Sequence, residues 1–435
     1  MREYLLVFLV ALSVTYLLTV VAREIALRTG AVAQVRDRDV HAEPIPYLGG
    51  LAMLGGLVAA YVVARRLPFL SGSDEFVFDD ARVVLLAGAL VCAVGVIDDI
   101  FELDALTKLG GQVLAAGLLV AMGVRFYYFP SPDGTQFSLD DAQSALLTLV
   151  VVIGTMNAVN FVDGLDGLAA GVVGIGAAAF FFYCYMVSDQ NNLTLATTGA
   201  LLSAALAGAC AGFLPHNFHP ARLFMGDSGS MLIGLVLSAS ALTLTGQFVG
   251  MPATEGNSLF VTVLPVLLPI SLLMVPMVDL VLAVVRRTRA GRSPMSADKQ
   301  HLHHRLLEIG HSQRRAVLIM WMWAFTISVG AVIVSLSSSP WVWWGLGALL
   351  SLTVALTFLL PKVHRPRKTG LGDTGLPENA VVEGRFEGAV DEQDRMAGEG
   401  LTPAVEQGVV EASGSAGNGS GERLPDPGSQ PSKTL

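Results

Sequence analysis

The sequence predicts an all-α protein: a polytopic membrane helical bundle of about eleven transmembrane helices, with a polar cleft facing the cytoplasm. Three observations carry that prediction. Hydrophobic residues make up 53% of the chain and charged residues only 14%, where a soluble protein carries about 25% charged residues. Apolar runs of membrane length recur from the amino terminus to residue 361. Basic, acidic and amide side chains collect in alternate connections between those runs, on one side of the membrane.

A bilayer core of about 30 Å needs about 20 apolar residues per helix. That ruler marks spans near 3–25, 47–65, 81–97, 108–124, 143–159, 168–187, 195–213, 229–248, 259–285, 315–337 and 340–361. The first, Tyr4 to Ala22, is too long for a signal-peptide core and lacks a small-residue cleavage site, so it reads as a retained anchor. Ser337 to Pro340 predicts a tight turn between the last two spans. Cys92, Cys184 and Cys210 all lie inside apolar runs. An odd, scattered set argues against a disulfide framework or a thiolate metal site, and for packing. Residues 1–361 therefore form the transmembrane domain. Residues 362–435, rich in Gly, Glu, Ser and Pro, predict a disordered acidic tail that cannot bury enough apolar surface to order itself. Acidic residues pile up there, so the net charge of −9 says little about partners; no nucleic acid is expected.

Orientation follows from Lys and Arg in the connections. Arg36 and Arg38 follow the first span, eight basic residues from Arg286 to Arg315 lie in or beside the connection after the ninth, and Lys362, Arg365, Arg367 and Lys368 follow the eleventh. With eleven spans all three segments share one side, which predicts an outer amino terminus and a cytoplasmic tail. Arg65 and Arg66 dissent. Segments 29–46, 98–107, 156–167, 214–228 and 286–314 then all face the cytoplasm, while outer connections such as "PSPDGTQ" carry no clustered chemistry.

Those inner segments hold the candidate chemistry. In "IDDIFELDALTK", Asp98 and Asp99 are adjacent, so on a helix they point about 100° apart. One could engage a metal or phosphate partner while the other holds structure. Solvated carboxylates are the plainer reading, weakened because negative charge is unfavourable at a helix C-terminus. Lys108, ten residues on, could meet a phosphate or simply snorkel. In "NAVNFVDGLDGLAAG", Asn157, Asn160, Asp163 and Asp166 recur every third residue, neighbours on one helical face. Gly164 and Gly167 predict that the helix loosens there, which is tolerated at membrane depth only beside protein or a wet cavity. An interhelical polar clasp is the alternative.

"RLFMGDSGS" sets Asp227 before the eighth span. It could be a helix N-cap or a ligand to a hard cation. "SADKQHLHHRLLEIG" places His301, His303 and His304 beside Lys299 and Arg305. Zinc would want closed sets such as HExxH or Cys/His pairs, so an anionic ligand suits them better; a basic inner loop is the plainer reading. In "RDRDVHAEPIPYLGG", Arg38 and His41 precede a Pro44–Pro46 kink and a glycine pair, suited to a phosphate or to a simple connector. Asp279 lies within the ninth apolar run, with Arg286 and Arg287 at its end.

Several carboxylates without cysteine, with histidines and basic residues, suit Mg²⁺, with Mn²⁺ as a substitute. Together with phosphate-neutralising cations this is the equipment of phosphoryl transfer, which works mainly by positioning and charge stabilisation. A phosphate monoester, with a second pKa of about 6, is already mostly a dianion near neutral pH and needs little help to attack.

"IDDIFELDALTK", "NAVNFVDGLDGLAAG", "FMGDSGSMLIG" and "PMSADKQHLHHRL" resemble, in order, the motifs of the polyprenyl-phosphate N-acetylhexosamine-1-phosphate transferase superfamily, glycosyltransferase family 4. The resemblance covers about residues 1–361. The "HLHHRL" segment looks like the branch that uses N-acetylglucosamine to start cell-envelope polymers on undecaprenyl or decaprenyl phosphate. It implies a Mg²⁺-dependent enzyme of the bacterial plasma membrane that joins UDP-N-acetylglucosamine to a polyprenyl phosphate lipid carrier and releases UMP; a homodimer is compatible with it. By position, Asp227 resembles the principal metal ligand, with Asp99 beside it. Asp98 and Asp99 resemble the pair that engages the lipid phosphate or assists attack. Asn160, Asp163 and Asp166 resemble the nucleotide and metal-shell group, with Asn157 alongside. His301, His303, His304 and Arg287 resemble sugar and diphosphate ligands, joined by Lys108, Arg38 and His41. Asp39, after Arg38, departs from the basic residue common in the family. The rival readings are another UDP-N-acetylhexosamine transferase, a phospho-N-acetylmuramoyl-pentapeptide transferase, or a secondary transporter, which would carry polar residues through to the outer face and a repeated half.

Overall fold

A computed structural model describes residues 1–32, 45–72, 75–130, 136–191, 196–245, 288–289, 311–337 and 339–359. The chain divides into two units, Met1–His364 and Arg365–Leu435, and all described residues lie in the first. The expected tail and the expected span at 259–285 lie outside the described residues.

The described residues are almost entirely helical. In chain order they form α1 (Arg2–Thr29), α2 (Gly49–Ala64), α3 (Pro68–Ser71), α4 (Glu75–Phe101), α5 (Ala105–Ala121), a short antiparallel hairpin of β1 (Tyr128–Pro130) and β2 (Gln136–Ser138), α6 (Asp141–Val162), α7 (Leu168–Asn191), α8 (Ala196–Asn217), α9 (Gly226–Thr245), α10 (Gln313–Leu336) and α11 (Pro340–Leu359). Eight of these helices are long and apolar enough to cross a membrane. Two further apolar helices, α2 and α5, have 16 and 17 residues, which at about 1.5 Å per residue fall short of a full hydrocarbon core. The protein is thus an all-α, multi-pass membrane bundle.

Position in the bundle follows composition. Helix α9, rich in Gly, Ser and Ala, packs against α2, α4, α6, α7 and α8, and is buried along almost its whole length. Helix α11, with Trp341, Trp343 and Trp344 exposed, buries almost none of its length. In lipid no hydrophobic gradient draws one apolar helix to another, so close approach of small residues decides which helices go inside. Gly95 on α4 illustrates this: a Cβ there would run into the backbone of Asp227 and Ser228. The bare glycine lets the first turn of α9 rest directly on α4.

Local signals set the ends that matter. Helix α6 starts with a capping box, Asp140 accepting from the Gln143 amide while the Gln143 side chain accepts from the Asp140 amide. It stops at Val162, and α7 resumes at Leu168, so the helix does loosen around Gly164 and Gly167. Asp104 caps α5, accepting from the amides of Leu106 and Thr107 at 3.1 and 3.2 Å. The Thr107 hydroxyl and amide hold its carboxyl below the usual carboxylate range.

Candidate active site

Four helix ends meet at one place: the C-termini of α4 and α6 and the N-termini of α5 and α9. Each brings a polar side chain for which a membrane interior has no use.

Asp98 and Asp99, at the last turn of α4, diverge as adjacent helical residues must. Asp98 Oδ1 accepts from the Leu103 amide at 2.8 Å, closing the turn into α5, and its Oδ2 lies 3.2 Å from Lys108 Nζ. Asp99 turns toward α9. Its Oδ1 accepts from the Asp227 amide at 2.7 Å and its Oδ2 from the Ser228 amide at 3.2 Å. A helix N-terminus offers unpaired amides and positive potential. The cap of α9 is therefore Asp99 from another helix, and Asp227 donates to it through its own amide. Gly226, just before, has φ +69°, a conformation that suits glycine.

That arrangement frees the Asp227 side chain. It accepts from Asn160 Nδ2 at 2.6 Å through Oδ1 and pairs with Lys108 Nζ through Oδ2. Asn160 also donates to Ser230 Oγ at 2.9 Å, clamping α6 to α9. Lys108 thus bridges Asp98 and Asp227, with side-chain exposures of 19%, 11% and 25%. One ammonium between two carboxylates leaves the trio with net negative charge in partly desolvated surroundings, where an added cation is favoured.

The remaining polar residues of this region serve different partners. Asn157 donates to Gln112 Oε1 at 2.7 Å and to the Ile153 carbonyl at 2.9 Å, while Gln112 donates back at 3.3 Å. Asp163 follows α6 directly. Burial pushes its carboxyl up to about 8, and the charges of Asp99 and Asp166 add to the rise. Asp166 is buried, and its Oδ2 takes the Ala221 amide at 3.0 Å and His219 Nδ1 at 2.9 Å.

The structure thus gathers Asp98, Asp99, Lys108, Asn160 and Asp227 into one contact network, and leaves Asn157 and Asp166 in separate hydrogen-bonded pairs beside it. Arg38, His41, Arg287, His301, His303 and His304 lie outside the described residues. Gln112, Asn217, His219 and Ser230 escape sequence reasoning. Ser230 stands within the "GDSGS" stretch and His219 eight residues before Asp227, but nothing local distinguishes them from ordinary helix-end polar residues.

Among the described residues no three His, Cys, Asp or Glu side chains form a group able to hold a metal ion by themselves. That donor set still fits Mg²⁺, which takes one or two protein carboxylates and completes its shell with water and substrate phosphate. Asp227 and Asp98 already share one cation.

Fold and site define a class: a multi-pass helical membrane protein with an anionic, lysine-bridged centre assembled from four helix ends. Comparison with known proteins makes this specific. The chain belongs to glycosyl transferase family 4, whose family model matches residues 81–245, the stretch from Asp98 to Asp227 included. It is 50% identical over 335 residues to the decaprenyl-phosphate N-acetylglucosaminephosphotransferase of Mycobacterium tuberculosis, covering 76% of this chain and 82% of the relative. The protein of the same name from Mycolicibacterium smegmatis is 47% identical, over 76% and 82% of the two chains. A probable undecaprenyl-phosphate N-acetylglucosaminyl 1-phosphate transferase of Bacillus subtilis is 31% identical, over 78% and 87%. The chain is thus a membrane enzyme of a sugar-phosphate transferase family.

Proposed function

We propose that the protein transfers N-acetylglucosamine-1-phosphate from UDP-N-acetylglucosamine to a polyprenyl phosphate, decaprenyl or undecaprenyl, releasing UMP. The observation that carries the reading is the Asp98–Lys108–Asp227 bridge with Asn160 locked onto Asp227, in a chain with half its aligned residues identical to a decaprenyl-phosphate N-acetylglucosaminephosphotransferase.

In the reaction an oxygen of the lipid phosphate attacks the sugar-bearing phosphorus of the donor. The bond between that phosphorus and the oxygen bridging to UMP breaks, and UMP leaves. The acceptor is already ionised near neutral pH, so a single in-line displacement suffices. Asp227 would hold Mg²⁺, with the remaining lone pairs of Asp99 at hand. When bound, the ion neutralises charge on the diphosphate and its leaving oxygen. Lys108, released from one carboxylate, supplies a positive charge to phosphate oxygens. Asp98 holds Lys108 and orients the acceptor. Asn160 keeps the Asp227 carboxylate in one rotamer, and Asp99 fixes the turn that carries it.

The basic connections support an outer amino terminus and a site open to the cytoplasm, where sugar nucleotides are available. The test is a membrane assay with labelled UDP-N-acetylglucosamine, decaprenyl phosphate and Mg²⁺. Labelled lipid with equimolar UMP is the expected product, abolished by EDTA and by Asp227→Asn. Release of label across the membrane without product lipid would support a transporter and sink the proposal, and trapping of a phospho-aspartyl protein at Asp98 by nucleotide alone would overturn the single displacement.

A further inference from the structure

Helix α2 opens on Gly49 and Gly50, and its start is tied by backbone to the residues just before Asp227. The Gly49 amide donates to the Phe224 carbonyl and the Gly50 amide to the Met225 carbonyl, both at 3.1 Å, while the Phe224 amide donates to the Pro46 carbonyl at 2.9 Å. The next amide, of Leu51, turns back to the Leu48 carbonyl at 3.2 Å. These are the amides that a helix start leaves without intrahelical partners, so the glycine pair gives its hydrogens to protein carbonyls and not to a phosphate. Leu48, just before, is buried and left-handed, with φ +79°, a conformation unfavourable for a residue with a Cβ. Strain of this kind persists only where the surroundings fix it. The Leu48 side chain sits with Ala26 and Ala31 in a small buried cluster, against which Val96 of α4 packs.

The same glycines let main chains touch. A Cβ on Gly50 would run into the backbone of Ser228 and Gly229, and one on Gly49 into Met225 and the Phe213 ring. A second helix approaches the same turn as closely, since a Cβ on Gly95 of α4 would strike Asp227 and Ser228. The first turn of α9 thus rests on two bare glycine faces, one from α2 and one from α4. We infer that Gly50 is a positioning residue for the reaction: by seating α9 on α2 with no side chain between them, it fixes where the Asp227 carboxylate stands relative to Asp98 and Lys108. The kinetic consequence rests on the transferase reading; the seating does not. Close-packed interiors transmit strain rather than absorb it. A methyl group at Gly50 therefore displaces the turn, and a misplacement of about 1 Å can cost about 100-fold in rate.

The test uses the full-length protein in nanodiscs and two substitutions on one helix. Gly50→Ala presses on the α9 turn. Gly56→Ala, further along α2, presses on the Thr15 hydroxyl and the Ala11 carbonyl of α1 and controls for loosening of the bundle. Both should lower the melting temperature. Assayed well below it, Gly50→Ala should lose about 100-fold in kcat with KM for UDP-N-acetylglucosamine within about twofold of wild type, whereas Gly56→Ala should keep kcat within about threefold. Equal losses of kcat in the two variants, a raised KM at unchanged kcat in Gly50→Ala, or wild-type kcat in that variant would overturn the inference. A substrate-free measurement stands apart from the functional reading. Amide hydrogen exchange across residues 226–230 should quicken about tenfold in Gly50→Ala and stay as in wild type in Gly56→Ala. Should wild type lack transferase activity, the transferase reading falls while this measurement still decides the seating: unchanged exchange in Gly50→Ala rejects it. Where Gly50→Ala does not fold, Leu48→Ala, which loosens the same clasp without a clash, carries both measurements and is read in the same way.

Discussion

Asp99 and Asp227 are joined by one hydrogen bond across 128 residues of sequence: the Asp227 amide donates to Asp99 Oδ1 at 2.7 Å. A carboxylate from α4 thus caps α9, and a second carboxylate, displaced from that duty, turns into the site. Asp99→Ala should cost about 1–2 kcal/mol of stability, as loss of an N-cap does. Gly226→Ala should be damaging too, because its φ of +69° disfavours a side chain and the added Cβ would strike the Asp99 carboxylate. Melting curves in detergent and turnover, measured together, check both. Wild-type melting and turnover in Gly226→Ala would refute the account of this turn.

Lys108 bridges Asp98 and Asp227, so Lys108→Met leaves two partly buried carboxylates without their cation. The metal-free variant should melt lower than wild type, Mg²⁺ should raise its melting temperature by more, and turnover should fall by about 100-fold or more. Equal Mg²⁺ responses in the two proteins would mean that the lysine and the ion do not share those carboxylates.

Asn157 and Gln112 exchange reciprocal hydrogen bonds between α6 and α5. Both amide hydrogens of Asn157 are committed, one to Gln112 and one to Ile153. Replacing either residue alone by Leu should cost about 1–3 kcal/mol by orphaning its partner, and the double Leu variant should recover part of it. A double-mutant cycle on melting free energies reads this out. A raised KM for the nucleotide in Asn157→Leu with no change in stability would instead point to substrate contact.

Asp163 supplies a pH signature. Burial, with Asp99 and Asp166 nearby, lifts its carboxyl from 3.8 to about 8. Between those values the folded protein holds a proton that the unfolded chain has lost, so stability falls as pH rises through that window. Metal-free wild type should therefore lose melting temperature from pH 5 toward pH 8, and Asp163→Asn should flatten the trend. A slope unchanged by that substitution would dissociate it from Asp163.

The membrane bundle was legible because its signal is local. Run length and composition mark a span without reference to anything distant, and ten of the eleven expected spans coincide with described helices. The chemistry-bearing stretches were legible for a similar reason: carboxylates, lysines and amides at the ends of apolar helices stand out against their background. The expected break after Asn160 was written in Gly164 and Gly167. Partner choice was not legible. Asp98 and Asp99 are indistinguishable as letters, yet one binds Lys108 and the other caps α9, because helical geometry points them apart and the first turn of α9 presents its amides to Asp99. Asn157 and Asn160 share a motif and a spacing, yet Asn157 meets Gln112 while Asn160 reaches Asp227, 67 residues on. Asp166 stands three residues after Asp163, yet its partners are His219 and the Ala221 amide, more than 50 residues on. The sequence alone determined a membrane enzyme's architecture and the inventory of its polar groups. Tertiary structure decided which of those groups face one another, since hydrogen-bond partners 45 to 129 residues apart are set by how helices pack and not by any property of the stretch that contains them.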